Sequence, residues 1–152
     1  MKIAITGHTT GLGKSFYDEL IRRGHHVEGF SRTNGYDLRV YSRVSAMLDK
    51  IVDFNVFINN AKPDYAQSQI LYRLTQLWNN GMIISIGSMA IINDPQWTDS
   101  NLLEYLTQKT ALAHAHSMIS RISQCQLILL NPAHLDNDTL PYVQTELDSL
   151  NL

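Results

Sequence analysis

The chain has 152 residues, of which 44% are hydrophobic and 17% charged, and its formal net charge is −2. These values predict a single globular domain over residues 1–152 rather than a disordered chain, and the charge gives no electrostatic reason to expect nucleic acid or an anionic membrane as a partner. One cysteine rules out an internal disulfide, the N-terminus is a poor signal peptide, and no apolar run nears the ~20 residues of a membrane helix, so we expect a cytoplasmic protein.

Short apolar segments alternate along the chain with longer segments of helical periodicity. Strands are predicted at 2–6, 26–31, 54–59, 82–87 and 126–131, with a further short strand at 35–38, and helices at 12–24, 40–52, 64–78, 101–122 and 141–150. Strands that are apolar on both faces belong to a parallel sheet covered on both sides. The pattern therefore predicts an α/β fold, a doubly wound parallel sheet of about six strands in a three-layer αβα arrangement. Such sheets bind ligands at the carboxyl ends of their strands.

The first strand runs into a glycine-rich segment, TGHTTGLGKS, that contains parts of two phosphate-binding motifs. The loop that binds nucleoside triphosphates requires G-x-x-x-x-G-K-[ST], and the Gly-Lys-Ser at 13–15 matches its last part. The first glycine of that motif would then stand at residue 8, which is His8, and Gly7 comes one residue too early. No later strand ends in a clear magnesium-binding acid, so a triphosphatase is disfavoured.

The same segment matches T-G-x-x-x-G-x-G without a gap, at Thr6, Gly7, Gly11 and Gly13. It follows the first strand and opens the first helix, which is where a dinucleotide-binding loop lies. Glycines allow the tight turn there, and the pyrophosphate sits at the helix N-terminus. A glycine-rich turn without a ligand is the alternative, so the motif needs support from the rest of the chain.

A tyrosine and a lysine four residues apart, Tyr105 and Lys109, lie on the predicted helix 101–122. This spacing stacks both side chains on one face of the helix. The strand before this helix ends in a turn of small residues with Ser88, which places the helix near the crevice. By itself the Y-x-x-x-K pattern is weak, because chance produces it in some chains of this composition.

Taken in order, these motifs resemble the short-chain dehydrogenase/reductase family, and the resemblance extends from residue 2 to about residue 137. TGHTTGLG looks like the cofactor loop of the family. Asp37 in YDL is similar to the acid that contacts the adenine ring after the third strand. INNAK at 58–62 looks like the family's Asn-Asn-Ala-Gly, with Lys62 in place of the glycine.

The catalytic half of the family pattern has counterparts later in the chain. IISIGS resembles the strand that ends in the catalytic serine, and Ser88 matches it rather than Ser85. YLTQKTALAHAHSMIS looks like the active-site helix. NPAHLDN resembles the Pro-Gly turn beside the nicotinamide, with Ala133 for the glycine and Asn137 where a threonine is common.

The resemblance implies a Rossmann fold and hydride transfer between a nicotinamide cofactor and a small carbonyl or alcohol substrate. Tyr105 would be the general acid/base that exchanges a proton with the substrate oxygen. Lys109, held by the ribose hydroxyls, would favour the phenolate, and Ser88 would hydrogen-bond the substrate oxygen. The alternative interpretation makes Tyr105 and Lys109 an exposed helical pair and Ser88 a cap at the end of a strand.

The end of the second strand favours NADP over NAD as the cofactor. NAD enzymes usually place an acid there, which binds the ribose 2′-hydroxyl and repels a 2′-phosphate. Here Ser31 occupies that position and Arg32 follows, a guanidinium suited to phosphate. The cofactor-binding residues that the resemblance implies are Gly7, Thr9, Thr10, Gly11, Leu12, Gly13, Ser31, Arg32, Asp37, Leu38, Asn59, Asn60, Ala61, Tyr105, Lys109 and Pro132.

The chain departs from the family pattern in two important ways. It is much shorter, so that one covering helix, the usual substrate lid and the last strand are missing. The family's fourth catalytic residue, an asparagine, has no counterpart between Lys62 and Trp78, where Gln67 and Gln69 are poor substitutes. A dinucleotide-binding module or sensor without turnover is therefore the alternative function.

Three further expectations concern partners. The helices 64–78 and 101–122 carry apolar residues beyond one narrow stripe, and in the family they form the dimer interface, so we expect a homodimer or homotetramer. The 6 histidines have no spacing suited to a metal, so no metal is expected. The short polar loop after the last strand does not identify the substrate beyond a small or polar carbonyl compound or alcohol.

Overall fold

The computed structural model describes residues 1–92, 100–133 and 139–152, and its elements follow the predicted alternation. The strands are β1 (Lys2–Thr6), β2 (His26–Phe30), β3 (Val56–Asn59), β4 (Met82–Ile86) and β5 (Gln126–Leu130). The helices are α1 (Gly11–Arg22), α2 (Tyr41–Ile51), α3 (Ala66–Leu77), α4 (Ser100–Ile119) and α5 (Leu140–Ser149). Two short 3-10 helices, Arg32–Asn34 and Met89–Ile91, follow β2 and β4.

The strands of the described residues form one parallel sheet in the order β2-β1-β3-β4-β5. From β1 the chain first adds β2 on one side, and it then crosses over to add β3, β4 and β5 on the other side. The loops that leave β1 and β3 therefore diverge, and a crevice opens at the carboxyl ends of these two strands. The predicted doubly wound α/β sheet is confirmed.

Helices cover both faces of this sheet, as strands that are apolar on both sides require. The core under α2, α3 and α4 includes Ala4, Phe57, Ile83, Met47, Leu48, Ile70, Leu74 and Leu112. The core under α1 and α5 includes Ile3, Ile5, Ile58, Ile84, Phe16, Leu20, Val143 and Leu147. Packing on both faces fixes the carboxyl ends of the strands, from which the loops of the crevice emerge.

Residues 35–38, predicted to be a short strand, form a turn instead, so the expected sixth strand is absent from the described residues. Gly35 turns the backbone there, with a φ of 92°. Tyr36 packs edge-on against Phe30, with ring centroids 4.8 Å apart, and Leu38 is buried in the same core cluster as α2. These apolar side chains reach the core from a turn and need no strand pairing. Asp37 therefore lies in this turn segment and not at a third strand.

Helices α3 and α4 pack against each other and leave several large apolar side chains exposed. They are Tyr72 and Leu77 on α3 and Leu103 and Met118 on α4. A surface of this kind is compatible with the expected homo-oligomer, which stays a prediction. Over the three described ranges, we find no helix with the length and apolar character that crossing a membrane requires.

Candidate functional site

The glycine turn between β1 and α1 folds back closely on itself. Gly7 has a φ of 72°, in the left-handed region that favours glycine, and its N–H donates to the Phe30 carbonyl at 2.9 Å. A Cβ on Gly13 would lie 2.2 Å from the carbonyl oxygen of Gly7, which is closer than any real contact. Position 13 therefore requires glycine, and helix α1 begins directly beside the end of β1.

A second turn, after β3, is hydrogen-bonded to the glycine turn. The hydroxyl oxygen of Thr6 accepts from the backbone N–H groups of Asn60 and Ala61, both at 3.0 Å. The side-chain amide of Asn60 donates in return to the carbonyls of Thr6 at 3.1 Å and Gly7 at 3.4 Å. These hydrogen bonds hold the two turns together at the carboxyl ends of β1 and β3, where the direction of the chain connections reverses.

The first turn of α1 presents backbone amides to this region. Thr10 is the N-cap residue, has an extended backbone and makes no side-chain capping hydrogen bond. The first N–H groups of a helix have no partner within the helix, and the helix dipole adds partial positive charge there. Such a helix start favours a phosphate or another anion as its partner.

The turns surround a cavity of about 500 Å³ at the carboxyl ends of β1, β2 and β3, which we call the glycine-loop cavity. Most of the predicted cofactor-binding residues line it: Gly7, Thr9, Thr10, Leu12, Gly13, Ser31, Arg32, Asp37, Leu38, Asn60 and Ala61. The other lining residues are Phe30, Thr33, Tyr36, Arg39, Lys62 and Pro63. Its volume and its mixture of apolar, hydroxyl and cationic side chains suit a nucleotide-sized anion.

The remaining predicted cofactor residues do not line this cavity: Gly11, Asn59, Tyr105, Lys109 and Pro132. Asn59 is fully buried, and its side-chain amide donates to the Gln67 carbonyl at 2.9 Å. Because side chains alternate along a strand, Asn59 shares the face of Phe57, which packs under α2, α3 and α4. Asn59 therefore links β3 to α3, and its contact with the cofactor stays a prediction.

The cavity wall formed after β2 is polar and positively charged. The Asp37 carboxylate accepts from the Arg39 guanidinium at 2.7 and 3.0 Å, and these hydrogen bonds lower the pKa of Asp37 to about 2. The Ser31 hydroxyl lies 2.7 Å from the Thr33 hydroxyl. Arg32 is exposed on the same wall. Asp37 thus already has a cationic partner, and the contact with adenine expected of it stays a prediction.

A second cavity, of about 300 Å³, lies beside α4, and we call it the Tyr105 cavity. It is lined by Lys62, Asp64, Asn101, Glu104, Tyr105 and Gln108, all of them polar. Tyr105 is half-buried, and the Lys62 ammonium lies 4.5 Å from the centroid of its ring. Lys62 also lines the glycine-loop cavity, so the two cavities meet at this residue.

Lys109 lies in a buried network, unlike the exposed lysine of the alternative interpretation. Its side chain is 3% exposed, and its ammonium donates to the Gln67 side-chain oxygen at 2.8 Å and the Ile86 carbonyl at 2.6 Å. Burial, with a smaller effect from the charge of Lys62, lowers the pKa of Lys109 to about 8. The ammonium lies 5.8 Å from the Tyr105 ring centroid. The spacing of Tyr105 and Lys109 thus brings both side chains to one place.

Gln67 holds Lys109, although from sequence it looked like a poor substitute for the family's asparagine. Its side-chain N–H groups donate to the carbonyls of Asn59 at 2.6 Å and Ile86 at 3.1 Å, and this leaves its oxygen for Lys109. The network joins α3, α4 and the ends of β3 and β4. No spacing in the sequence predicts it, because Gln67 and Lys109 are 42 residues apart.

Ser88 caps the 3-10 helix after β4, as the alternative interpretation expects. Its hydroxyl accepts from the Ala90 N–H at 3.2 Å, and its own N–H donates to the Asn131 side chain at 3.1 Å. The Met89 N–H donates to the Pro132 carbonyl at 3.0 Å, so Pro132 lies beside this turn. The 3-10 helix packs against α4. A role for Ser88 at a substrate oxygen stays a prediction, and Asn137 lies outside the described residues.

Sequence reasoning missed several residues of the site. Thr6 and Gln67 connect its parts, Arg39 binds Asp37, and Lys62 and Gln108 line the Tyr105 cavity. Three of them carried a signal in the sequence: Thr6 as the first residue of the glycine motif, Gln67 as a poor substitute for the family's asparagine, and Lys62 as a charged residue where the family pattern has glycine. The described residues contain no group of three or more His, Cys, Asp or Glu side chains that could hold a metal ion.

Two glycine substitutions test the closeness of the glycine turn. Gly13→Ala places a methyl group against the Gly7 carbonyl, and we expect it to lower the free energy of unfolding by about 3 kcal/mol. Gly11→Ala is the matched control, because no atom lies within 4 Å of its new methyl group. Its positive φ of 54° costs about 1.5 kcal/mol. Urea unfolding measures both values, and equal losses would contradict the close contact.

The burial of Lys109 predicts a pH dependence of stability. Between pH 8 and the ordinary Lys value of 10.5, the unfolded chain binds a proton that the folded protein has lost, so this residue's contribution to stability rises with pH. Lys109→Met removes the effect, and the wild type should gain about 2 kcal/mol relative to the variant between pH 7 and pH 10. Denaturant unfolding at both pH values measures the gain. Lys2→Met, at an exposed position, is the control, and a parallel pH dependence of wild type and Lys109→Met would refute the assignment.

Comparison with known proteins gives matches by structure and none by sequence. No protein-family model matches the chain, and no curated protein matches it by sequence. The structure search finds a short-chain dehydrogenase from Burkholderia cenocepacia J2315 in complex with NADP, at 17% identity and a TM-score of 0.75, covering 99% of this chain and 84% of that one.

Two further solved structures are similar to the chain. The 3-alpha-hydroxysteroid dehydrogenase from Pseudomonas sp. B-0831, complexed with NADH, has 18% identity and a TM-score of 0.71, over 90% of this chain and 73% of that one. The bulky-bulky ketone specific alcohol dehydrogenase from Comamonas testosteroni has 16% identity and a TM-score of 0.74, over 99% and 82%. The chain therefore has the Rossmann fold of the short-chain dehydrogenase/reductases, as the motifs in its sequence predict.

Proposed function

We propose that the protein is an NAD(P)-dependent oxidoreductase that interconverts a carbonyl compound and an alcohol. The observation that carries the proposal is the meeting of two cavities at Lys62. One has the size and lining expected for the adenosine and pyrophosphate part of a dinucleotide, and the other contains Tyr105. Solved structures of this fold with NADH and NADP bound support the choice of a nicotinamide dinucleotide as the ligand.

The residues of the glycine-loop cavity are suited to such a ligand. Gly7 and Gly13 allow the turn to pack closely against the protein's own chain, and this turn leads into the start of α1, where backbone amides favour a pyrophosphate. Arg32, Arg39 and Lys62 add positive charge to the lining. Bound there, the dinucleotide would supply the hydride, which no protein side chain can supply.

The proton transfer would fall to Tyr105. Its hydroxyl group would exchange a proton with the substrate oxygen in the Tyr105 cavity. Lys109 is close to the same ring, and two of the three N–H donors of its ammonium are bound to Gln67 and Ile86. The third remains to stabilise the phenolate or to bind a ribose hydroxyl. Ser88 would hydrogen-bond the substrate oxygen, in addition to its role as a cap.

One observation favours a second candidate function, a dinucleotide-binding module or sensor without turnover. The Ser88 hydroxyl is bound to the Ala90 N–H, and Ser88 does not line the Tyr105 cavity. A site that lacks a donor for the substrate oxygen would bind the cofactor and reduce carbonyl compounds slowly or not at all. In this second candidate function the glycine-loop cavity binds the cofactor, and no hydride transfer to a substrate takes place.

Substitution of Tyr105 separates these two candidates. For an oxidoreductase, Tyr105→Phe should lower NADPH-dependent reduction of carbonyl compounds at least about 100-fold, because the proton donor is lost. NADPH binding, measured by the fluorescence of the bound coenzyme, should remain, because the ring is kept. Tyr72→Phe, at an exposed tyrosine of α3, is the control and should be fully active. Wild-type protein that binds NADPH but reduces none of a panel of aldehydes and ketones would favour the sensor.

We further propose NADP as the preferred cofactor, because Arg32 and Ser31 line the wall where an NAD enzyme carries an acid. Arg32→Met should weaken NADPH binding about tenfold, the value of one charge-assisted hydrogen bond, and leave NADH binding unchanged. Arg43→Met, which removes an exposed guanidinium on α2, is the control. Isothermal titration with both coenzymes measures the change, and an equal loss of affinity for both would count against 2′-phosphate recognition.

A further inference from the structure

Lys62 has a position that no other described residue shares, because it lines both the glycine-loop cavity and the Tyr105 cavity. Its side chain is exposed, and its ammonium lies 4.5 Å from the centroid of the Tyr105 ring. This distance is within the range of a cation–π contact. An exposed ammonium at such a boundary is free to contact groups on both sides.

Lys62 also stands next to a residue that is close to the glycine turn. It directly follows Ala61, and Ala61 is so close to the turn that a Cβ on Gly7 would lie 2.9 Å from its own Cβ. The other cations of the lining, Arg32 and Arg39, belong to the wall after β2. Lys14, in the first turn of α1, is paired with Asp18 and does not line the cavity.

Resting on the function proposed above, we propose that Lys62 is a positioning residue that binds a phosphate group of the dinucleotide and holds the ring of Tyr105 beside it. An ammonium is a compact charge with three donors on a flexible stem. It can therefore donate to a phosphate oxygen while its charge remains over an aromatic face. In this way Lys62 connects the binding of the cofactor with the placement of Tyr105.

The charges around Tyr105 support this role. Both Lys62 and Lys109 lie near the ring, and the charge of Lys62 helps to lower the pKa of Lys109. Asp64 and Glu104 line the Tyr105 cavity but make no described ion pair with either lysine. A phosphate group beside Lys62 would offset the repulsion between the two ammonium groups.

Binding measurements on Lys62 variants test the phosphate contact. Lys62→Met should raise the dissociation constant for NADPH about tenfold and flatten its dependence on salt, whereas Lys62→Arg should keep both close to wild type. Lys2→Met, which removes an exposed charge at the start of β1, is the matched control and should bind as the wild type does. Competition by adenosine 2′-monophosphate, which has no pyrophosphate, should be the same for Lys62→Met and the wild type.

A double-mutant cycle tests the contact with the ring. Tyr105→Leu should weaken NADPH binding about threefold when Lys62 is present and have no effect in the Lys62→Met background. Tyr105→Phe should not weaken binding, because the ring remains. Additive effects of Tyr105→Leu and Lys62→Met would overturn the link to Tyr105.

The outcomes separate the failure of this inference from that of the proposed function. Wild-type protein that binds NADPH, with Lys62→Met binding equally well, would overturn the role of Lys62 and leave the proposed function standing. A loss of adenosine 2′-monophosphate binding as large as the loss of NADPH binding would show a general charge effect and also overturn it. Wild-type protein that binds neither NADPH nor NADH would overturn both.

Discussion

The contact between the two turns at the switch point of the sheet determines the rest of the site. Gly13 lies so close to the Gly7 carbonyl that no side chain fits between them, and Asn60 bonds to the backbone of the same turn. Because of this contact, α1 starts directly above the crevice, and the chain after β3 passes beside the glycine turn. The glycine-loop cavity and the position of Lys62 both follow from that arrangement.

The site has a second part that is anchored independently. The buried bonds among Lys109, Gln67 and the Ile86 carbonyl fix α4 against α3 and β4. They also fix Tyr105, one helical turn before Lys109. The nucleotide-binding part therefore depends on β1, α1 and β3, whereas the catalytic part depends on α3, α4 and β4. Lys62, after β3, is where the two parts meet.

Periodic patterns allowed the architecture to be predicted, and their limits explain the errors. Apolar residues of strands and helices recur at periods that depend on local geometry. The five strands and five helices from β1 to α5 were therefore predicted correctly. Tyr36 and Leu38 also follow the period of a strand, but they pack into the core from a turn. The same period places Asn59 on the buried face with Phe57, away from the glycine-loop cavity.

Residues of the candidate site could be predicted only where they belong to a short sequence motif. The glycine turn and the wall after β2 are contiguous in sequence, and most of their predicted residues line the cavity. Gln67, the partner of Lys109, is distant from it in the chain, and a glutamine by itself does not indicate such a role. The hydrogen-bond network between them is therefore visible only in the structure. Lys62 was visible as a departure from the family pattern, but its proximity to Tyr105 depends on how α4 packs.

The most direct test of the account is a crystal structure of the protein with NADP bound. The proposed function predicts the pyrophosphate at the start of α1, the adenosine against Ser31 and Arg32, and the nicotinamide ring directed toward the Tyr105 hydroxyl. A dinucleotide bound elsewhere, or bound in the glycine-loop cavity with its nicotinamide directed away from Tyr105, would contradict it.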